Sequence, residues 1–394
     1  MPVALFRLVL FGKGQDAIPT KDGCRYSRCW YGRVIRAPGT GWQNARVRGC
    51  AMKLITTGVL LMGDLSAKDL ASLARRLEDW GYDYIWLADE RFFREIYSSL
   101  TLCALNTKNI QLGVCVTDPY SRHPALTAMA ISTLDEISEG RAVLGIGAGV
   151  SGFGELGINR ARPALAMREM VGLIRKLMTG ERVDFQGRMV QFNHGALNFT
   201  PIRADLPIYV ASNGPRGLQV AGELADGAII SGCAEEASVD YAKELVSTGT
   251  GKAGRDVAEV DLVARLNCCV STDGQAARNA IRTATVRSLP GHLNFGTAAG
   301  MEVAPDLAGS LKQMGYTHDD STLADMAQRV PDHIIDAMSL SGTPEEVAQR
   351  VVRIVRRGIN QILVRPSPSP EGGIDGTLEA FATKVMPVVR RELE

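Results

Sequence analysis

The chain has 394 residues, 45% of them apolar and 22% charged, with a net charge of +1. This balance leaves no electrostatic footprint for non-specific nucleic-acid binding, and no apolar run reaches the ~18 residues that a transmembrane helix needs. Eight cysteines form no Cys-x-x-Cys pair and five histidines stand at no metal-ligand spacing, so the expectation is reduced thiols in a cytoplasmic protein without a metal.

Residues 1–51 scatter Arg and Gly among Cys, Trp and Pro without sustained periodicity. They read as a disordered extension, and the broken apolar start makes a poor signal peptide. From Met52 the pattern changes to alternating strand and helix. The sequence predicts strands over Lys53–Leu61, Asp83–Ala88, Ile110–Val116 and Arg141–Ile146, and helices over Ser66–Trp80, Ser98–Asn106 and Leu126–Ser138. Gly81 and Gly140 close two of the helices, as C-cap glycines do. A helix over Pro163–Thr179 precedes a hairpin over Arg182–Phe192. Short buried strands follow at Pro207–Ala211 and Gly227–Ile230, with a helix over Arg216–Leu224 between them. Asp261–Val270 is the next strand, Gly274–Asp336 is mostly helical with a break at Pro290, and Gly358–Val364 is the last strand before a helix over Thr377–Glu392.

Eight such strands with helical crossovers predict an α/β fold, a (β/α)8 TIM barrel with insertions. An open doubly wound sheet is the alternative. In either fold the ligand lies at the C-terminal edge of the strands, which directs attention to the loops that follow them.

Asp89-Glu90-Arg91 ends the second strand, either as a solvated mouth or with Asp89 or Glu90 against a cofactor's polar ring edge. His123, beside Arg122 and before Pro124, is a proton donor or a helix-start residue. Gly147-Ala-Gly149 follows the fourth strand and lets backbone amides approach a ligand. It matches G-x-G-x-x-G only weakly, because it does not open the domain. Ser212-Asn213-Gly214-Pro215-Arg216 lies between a strand and a helix, where free amides and the arginine make an anion site. Arg365 follows the final strand, at the mouth or turned to solvent. No nucleophile elbow, P-loop or Ser/His/Asp order stands out, so a cofactor would carry the chemistry.

Five segments in order, Val116–Thr127, Thr133–Arg141, Leu144–Gly149, Asn213–Arg216 with Ala221–Gly227, and Ser341–Glu346, resemble the bacterial-luciferase-like superfamily. Within it they look most like the methylenetetrahydromethanopterin reductases, which use coenzyme F420. The resemblance implies a commonly dimeric TIM barrel holding a flavin or deazaflavin, FMN or F420, over its mouth. It implies that Cys115, Val116, Thr117 and Asp118 back the ring, with a cis peptide at Cys115–Val116. Gly147, Gly149, Ser212, Asn213, Gly214, Pro215 and Arg216 would line the tail, and Thr57 and Asp89 would also face the cofactor. His123, Glu90 and Arg365 are then the catalytic candidates. Those reductases carry a glutamate on the first strand and an acid after the glycine turn, where this chain has Thr56 and Thr57, and Val150. The implied function is hydride transfer between the cofactor and a small organic, and with these acids replaced an anionic, substrate. The alternatives are an FMN-dependent monooxygenase fed by a separate flavin reductase, and a barrel that binds flavin without catalysis.

Overall fold

The computed structural model describes residues 55–149 and 151–394. The expectation for residues 1–51, and the position of Val150, lie outside the described residues.

Eight parallel strands close into a barrel. They are β1 (Thr56–Leu61), β2 (Tyr84–Leu87), β3 (Gln111–Thr117), β4 (Ala142–Ile146), β7 (Ile208–Ala211), β8 (Gly227–Ser231), β9 (Asp261–Val270) and β11 (Gln361–Pro366). Each pairs with the next in that order, and β11 pairs with β1 through Thr56↔Gln361 to Val59↔Val364. The pairing of β8 with β9, from Gly227↔Asp261 to Ser231↔Arg265, excludes the open sheet. The hairpin of β5 (Val183–Gln186) and β6 (Gln191–Gly195) is antiparallel and separate, as the sequence predicts.

Helices α1 (Ala67–Asp79), α2 (Ile96–Asn106), α3 (Pro124–Ile137), α4 (Pro163–Leu177), α5 (Pro215–Leu224) and α6 (Glu236–Ala253) follow in chain order. Their starts are chemically specified. The Ser66 side chain accepts the Asp69 N–H ahead of α1, and Gly81, at φ +83, ends that hairpin of elements in the left-handed region that glycine favours. Leu70, Leu73, Ala74 and Leu77 form the face that α1 buries. The crossover stretch from 274 onward becomes α7 (Gly274–Ala298), α8 (Pro305–Met314), α9 (Asp320–Arg329) and α10 (Asp332–Met338), which share a satellite core around Ile281, Leu289, Leu311 and Ile335. Then come β10 (Ser339–Gly342), α11 (Pro344–Arg356), α12 (Gly373–Ala380) and α13 (Met386–Leu393).

One local expectation is corrected. Pro290 does not break α7, which runs through it. The Thr-Gly-rich segment before β9 forms the 18-residue helix α6. Ser339–Gly342 is a strand, pairing with the outer end of β9 from Asn267 to Val270.

The barrel interior is filled rather than open. Trp86 plugs its middle, and its indole N–H donates to Gln361 Oε1 at 3.2 Å. A Cβ at Gly113 would stand 2.2 Å from the Trp86 ring, so glycine is required there to admit the indole. Tyr209 meets Trp86 edge to face at 5.6 Å and donates to Asp261 Oδ2 at 2.8 Å. Above this plug the interior opens into the cavity.

Candidate active site

A cavity of ≈1630 Å³ lies over the C-terminal ends of the strands. Side chains alternate in and out along each strand. The inward row of Leu60, Ala88, Ile229, Val263 and Leu363, with Met62 and Cys115 at its upper edge, therefore forms an apolar floor.

One wall comes from β3 and β4. The Cys115–Val116 peptide is cis, and the β3–β4 register shifts between Val114 and Thr117. This brings Val116 against β4. A Cβ at Gly147 would lie 2.5 Å from Val116 Cγ2, and one at Gly145 2.2 Å from the Val114 carbonyl oxygen. Both glycines are thus fixed by close approach. Gly149, at φ +67, turns the chain beside Arg91 and Phe153.

Asp118 anchors the loop behind this wall. It is fully buried and accepts hydrogen bonds from the N–H groups of Tyr120 and Ser121 at 2.8 Å and from Ser121 Oγ at 2.6 Å. Oδ2, the oxygen that takes the Ser121 hydroxyl, also pairs with Arg91 Nη1 at 2.8 Å. Arg91 also donates to the Ser151 carbonyl at 2.7 Å and stacks on Phe153 at 4.2 Å. It is therefore a strut joining the loops after β2, β3 and β4, not a free cation.

Two carboxyls after β2 line the cavity. Burial pushes the Asp89 carboxyl above the usual range, against weaker opposing effects from Thr117, Arg122 and Arg91. Glu90 accepts from Ser151 Oγ at 2.8 Å and Tyr316 Oη at 3.3 Å, with His318 Nε2 at 3.8 Å.

The opposite end is built around the start of α5. Asn213 clasps Ser231, donating to its carbonyl at 2.6 Å and accepting its N–H at 3.1 Å, which ties β7 to β8. Ser212 Oγ accepts the Gly214 N–H at 3.0 Å. A Cβ at Gly217 would fall 2.2 Å from that oxygen, so the first turn of α5 passes directly over Ser212. Pro215 occupies the first turn, and Gly214 caps it with no side chain on the first amides. Arg216 is exposed beside them in the cavity wall, without an ion pair among the described residues. Seven lining Lys and Arg residues have no ion pair among the described residues, against Asp89 and Glu90, which favours an anionic ligand.

The structure thus brings Asp89, Glu90, Cys115, Val116, Gly147, Gly149, Ser212, Asn213, Gly214, Pro215, Arg216 and Arg365 to one cavity. Four candidates stand outside it. Thr57 lies at the opposite, N-terminal end of β1, where its N–H and hydroxyl meet Asp83 Oδ2 at 2.7 and 3.1 Å. Asp118 faces the loop it anchors, and Thr117 is buried, its carbonyl accepting the Gly147 N–H at 2.9 Å. His123 is the helix-start residue rather than a proton donor to the cavity. Its Nδ1 accepts the Ala125 N–H at 3.2 Å and its Nε2 meets the Gln191 carbonyl at 3.0 Å, so both ring nitrogens are engaged. His123→Ala is expected to lower stability by about 1 kcal/mol, as a lost N-cap does, and to leave cofactor affinity unchanged. Urea unfolding and a cofactor titration check the pair of outcomes.

Sequence reasoning missed Arg265, His292 and Tyr316, which also line the cavity. Arg265 carried a signal, a lone cation inside an apolar strand. His292 Nδ1 is buried with no partner, and burial together with the Arg265 charge pushes its pKa down to about 3, leaving the ring neutral.

Known proteins share this arrangement of elements. The profile of the luciferase-like monooxygenase family matches residues 52–361. The chain belongs to the luciferase-like monooxygenase family. Within it, a 5,10-methylenetetrahydromethanopterin reductase of Archaeoglobus fulgidus is 36% identical over 318 residues, which is 80% of this chain and 94% of that one. The corresponding reductase of Methanolobus tindarius is 32% identical over 78% of this chain and 93% of its own length. Among solved structures, the coenzyme F420-dependent tetrahydromethanopterin reductase from Methanopyrus kandleri superposes with a TM-score of 0.75 at 26% identity, covering 85% of this chain and 99% of that one. An F420-dependent secondary alcohol dehydrogenase, at 21% identity and a TM-score of 0.69, shares the luciferase-like fold.

Proposed function

We propose that this luciferase-like protein is an oxidoreductase that uses coenzyme F420 to move a hydride to or from a small organic substrate. The observation that carries the reading is the two-ended cavity. One end offers the open amides of α5 with Arg216. The other offers a flat wall of Val116 and Gly147 over an apolar floor. An anionic tail fits the first end and a planar ring the second. The fit extends along the tail wall, where Arg160 and Arg162 add positive charge beyond what one phosphate needs. Arg160 is held in place by the Gly149 carbonyl and by Phe153, 5.0 Å from its guanidinium. That surplus favours the long, multiply anionic tail of F420 over FMN, and the methanopterin reductases related to this chain support the same choice.

Ser212, Arg216 and the amides after Gly214 would hold the tail phosphate, and Cys115, Val116 and Gly147 would back the ring. The bound cofactor supplies the carbon that gives or takes the hydride. The chain itself positions the partner molecule between that ring and the barrel floor. Glu90, already sharing hydrogen bonds with Ser151 and Tyr316, holds one polar edge of the space. Asp89, whose carboxyl burial raises above its ordinary range, faces the same space. Residues of α7 and the Tyr316 segment line one side of the mouth.

The second reading is an FMN-dependent monooxygenase served by a separate flavin reductase, favoured by the wider family's description. Titrating the protein with F420, FMN and FAD while following absorbance decides between them. Saturable F420 binding with hydride transfer and no oxygen uptake is the expected result. Oxygen consumption with reduced FMN, or no response to F420, would overturn it.

The protein is proposed to work as a homodimer in the cytoplasm. Leu126, Met129 and Ile137 repeat along one exposed side of α3, with Leu105 of α2 nearby in sequence order, and water-facing apolar stripes of this kind mark association sites. Among the described residues, five cysteines are free thiols and no helix is long and apolar enough to cross a membrane. Met129→Asp is expected to convert a dimer to a monomer in sedimentation velocity. An unchanged sedimentation coefficient would remove α3 from the interface.

A further inference from the structure

Two arginines rise from the barrel floor into the same part of the cavity. Arg265 stands two residues beyond Val263 on β9, and Arg365 two residues beyond Leu363 on β11. Val263 and Leu363 are inward-facing, so alternation places both arginines inward as well. The strands are adjacent, with Leu363 opposite Arg265 and Arg365 opposite Asn267. The two guanidinium groups therefore leave neighbouring strands one above the other.

Their surroundings differ from those of three other buried or half-buried arginines. Arg91 has Asp118, Arg203 has Asp135 at 2.6 Å, and Arg350 has two carboxylates together with backbone carbonyls. The side chains of Arg265 and Arg365 have no hydrogen bond and no ion pair among the described residues. Each instead feels the other or a further arginine as a like charge. Arg365 acts on Arg265, and Arg287 acts on Arg365. Tyr316 and Glu90 act on both, and Asp64 on Arg365, but Glu90 is already engaged by Ser151 and Tyr316. Desolvated cations that repel one another are costly unless a counter-charge arrives. Burial and the Arg365 charge push the Arg265 guanidinium down to about 10, consistent with that cost. Beside them lies the buried, neutral imidazole of His292.

We propose that Arg265 and Arg365 form an oxyanion subsite on the cavity floor that receives a carboxylate or phosphate of the substrate. The subsite rests on the reading of the cavity as a cofactor and substrate chamber. It lies on β9 and β11, across the barrel from the β3–β4 wall, and it is separate from the amide cradle at α5. Guanidinium forks match the paired oxygens of either anion. The apolar residues around the pair, Leu60, Met62 and Ile229, suit a small acid with a short hydrocarbon body.

The test uses the full chain saturated with its cofactor, so that the α5 cradle is filled. Sodium malonate and inorganic phosphate are titrated at constant ionic strength, with neutral malonamide as control, reading Tm and the cofactor's absorbance. Wild type is expected to respond saturably to malonate, phosphate or both, and not to malonamide; the two anion arms tell carboxylate from phosphate. Arg265→Gln and Arg365→Gln should each weaken that response at least tenfold, while cofactor affinity stays within twofold. Arg265→Lys should retain part of it. Without anions, Arg365→Gln should melt no lower than wild type, since it removes one of two repelling cations. The proposal is overturned by a wild type with no saturable anion response, by a response that persists in the double variant, or by a lower anion-free Tm in Arg365→Gln. Loss of cofactor affinity in the variants would also overturn it, by assigning the pair to the cofactor. The same titration is run on Arg216→Ala without cofactor. Anion binding there, in a protein whose wild type takes up neither F420 nor FMN, would sink the cofactor reading and leave the subsite standing.

Discussion

Replacing Asp118 with alanine is expected to lower the unfolding free energy by about 3–5 kcal/mol, the range for removing one partner of a buried ion pair. Four donors lose their acceptor together: two backbone N–H groups, the Ser121 hydroxyl and the Arg91 guanidinium. The last of these is left desolvated beneath the cavity wall. The loss is local in its consequences, because Arg91 is what joins the loop after β3 to the Ser151 carbonyl and Phe153 after β4. Cofactor affinity should therefore fall with stability, although Asp118 itself does not line the cavity. Asp118→Asn keeps an acceptor for the amides but not the charge for Arg91, and should fall between. Urea unfolding curves and cofactor titrations on the three proteins check this. An alanine variant as stable as wild type would mean that Asp118 does not hold the loop.

The strands were legible in the sequence because each is a short buried apolar run bounded by polar turns, and eight of them with crossovers leave few closed arrangements. Helix α6 carries a weaker local signal, because the glycines of Thr248-Gly-Thr-Gly-Lys252 lower its helix propensity. Its helix is held by tertiary contact. A Cβ at Gly222 of α5 would stand 2.1 Å from the Val246 carbonyl oxygen, and one at Gly249 2.1 Å from that of Gln219. The glycines that weaken helix propensity are the ones that let the two helices touch. Pro290 misled because tertiary packing overrides it. Its missing N–H breaks one ladder bond, but α7 is held on both sides of it by the core shared with α8–α10.

The site divides along similar lines. The turns at Gly147 and Gly214 are local features, visible as glycine next to a strand end. Thr57 was assigned from resemblance alone, yet parallel strands present only their C-terminal ends to the mouth, and on β1 those are Leu60 and Met62. His123 looked chemical because histidine before proline is also how a capped helix begins. Arg265 escaped because its direction depends on barrel closure, which no local pattern states.

Arg216→Ala is expected to weaken cofactor binding by about 1.5–3 kcal/mol, the worth of a charge-assisted contact, or roughly ten- to 150-fold in Kd. Two features of its position support an effect of that size. The guanidinium has no competing carboxylate among the described residues, so its charge is available to a ligand. It also sits in the first turn of α5, where unpaired amides and the helix dipole favour the same anion. Stability should change little, because Arg216 is exposed. The contact is electrostatic and partly solvated, so the difference between wild type and variant should shrink as salt is raised. A truncated cofactor lacking its phosphate should bind both proteins alike. Equal affinity of wild type and variant for the intact cofactor would remove Arg216 from the cradle and shift the tail toward Arg160 and Arg162. The double variant Arg160→Ala/Arg162→Ala would then be the one to lose binding.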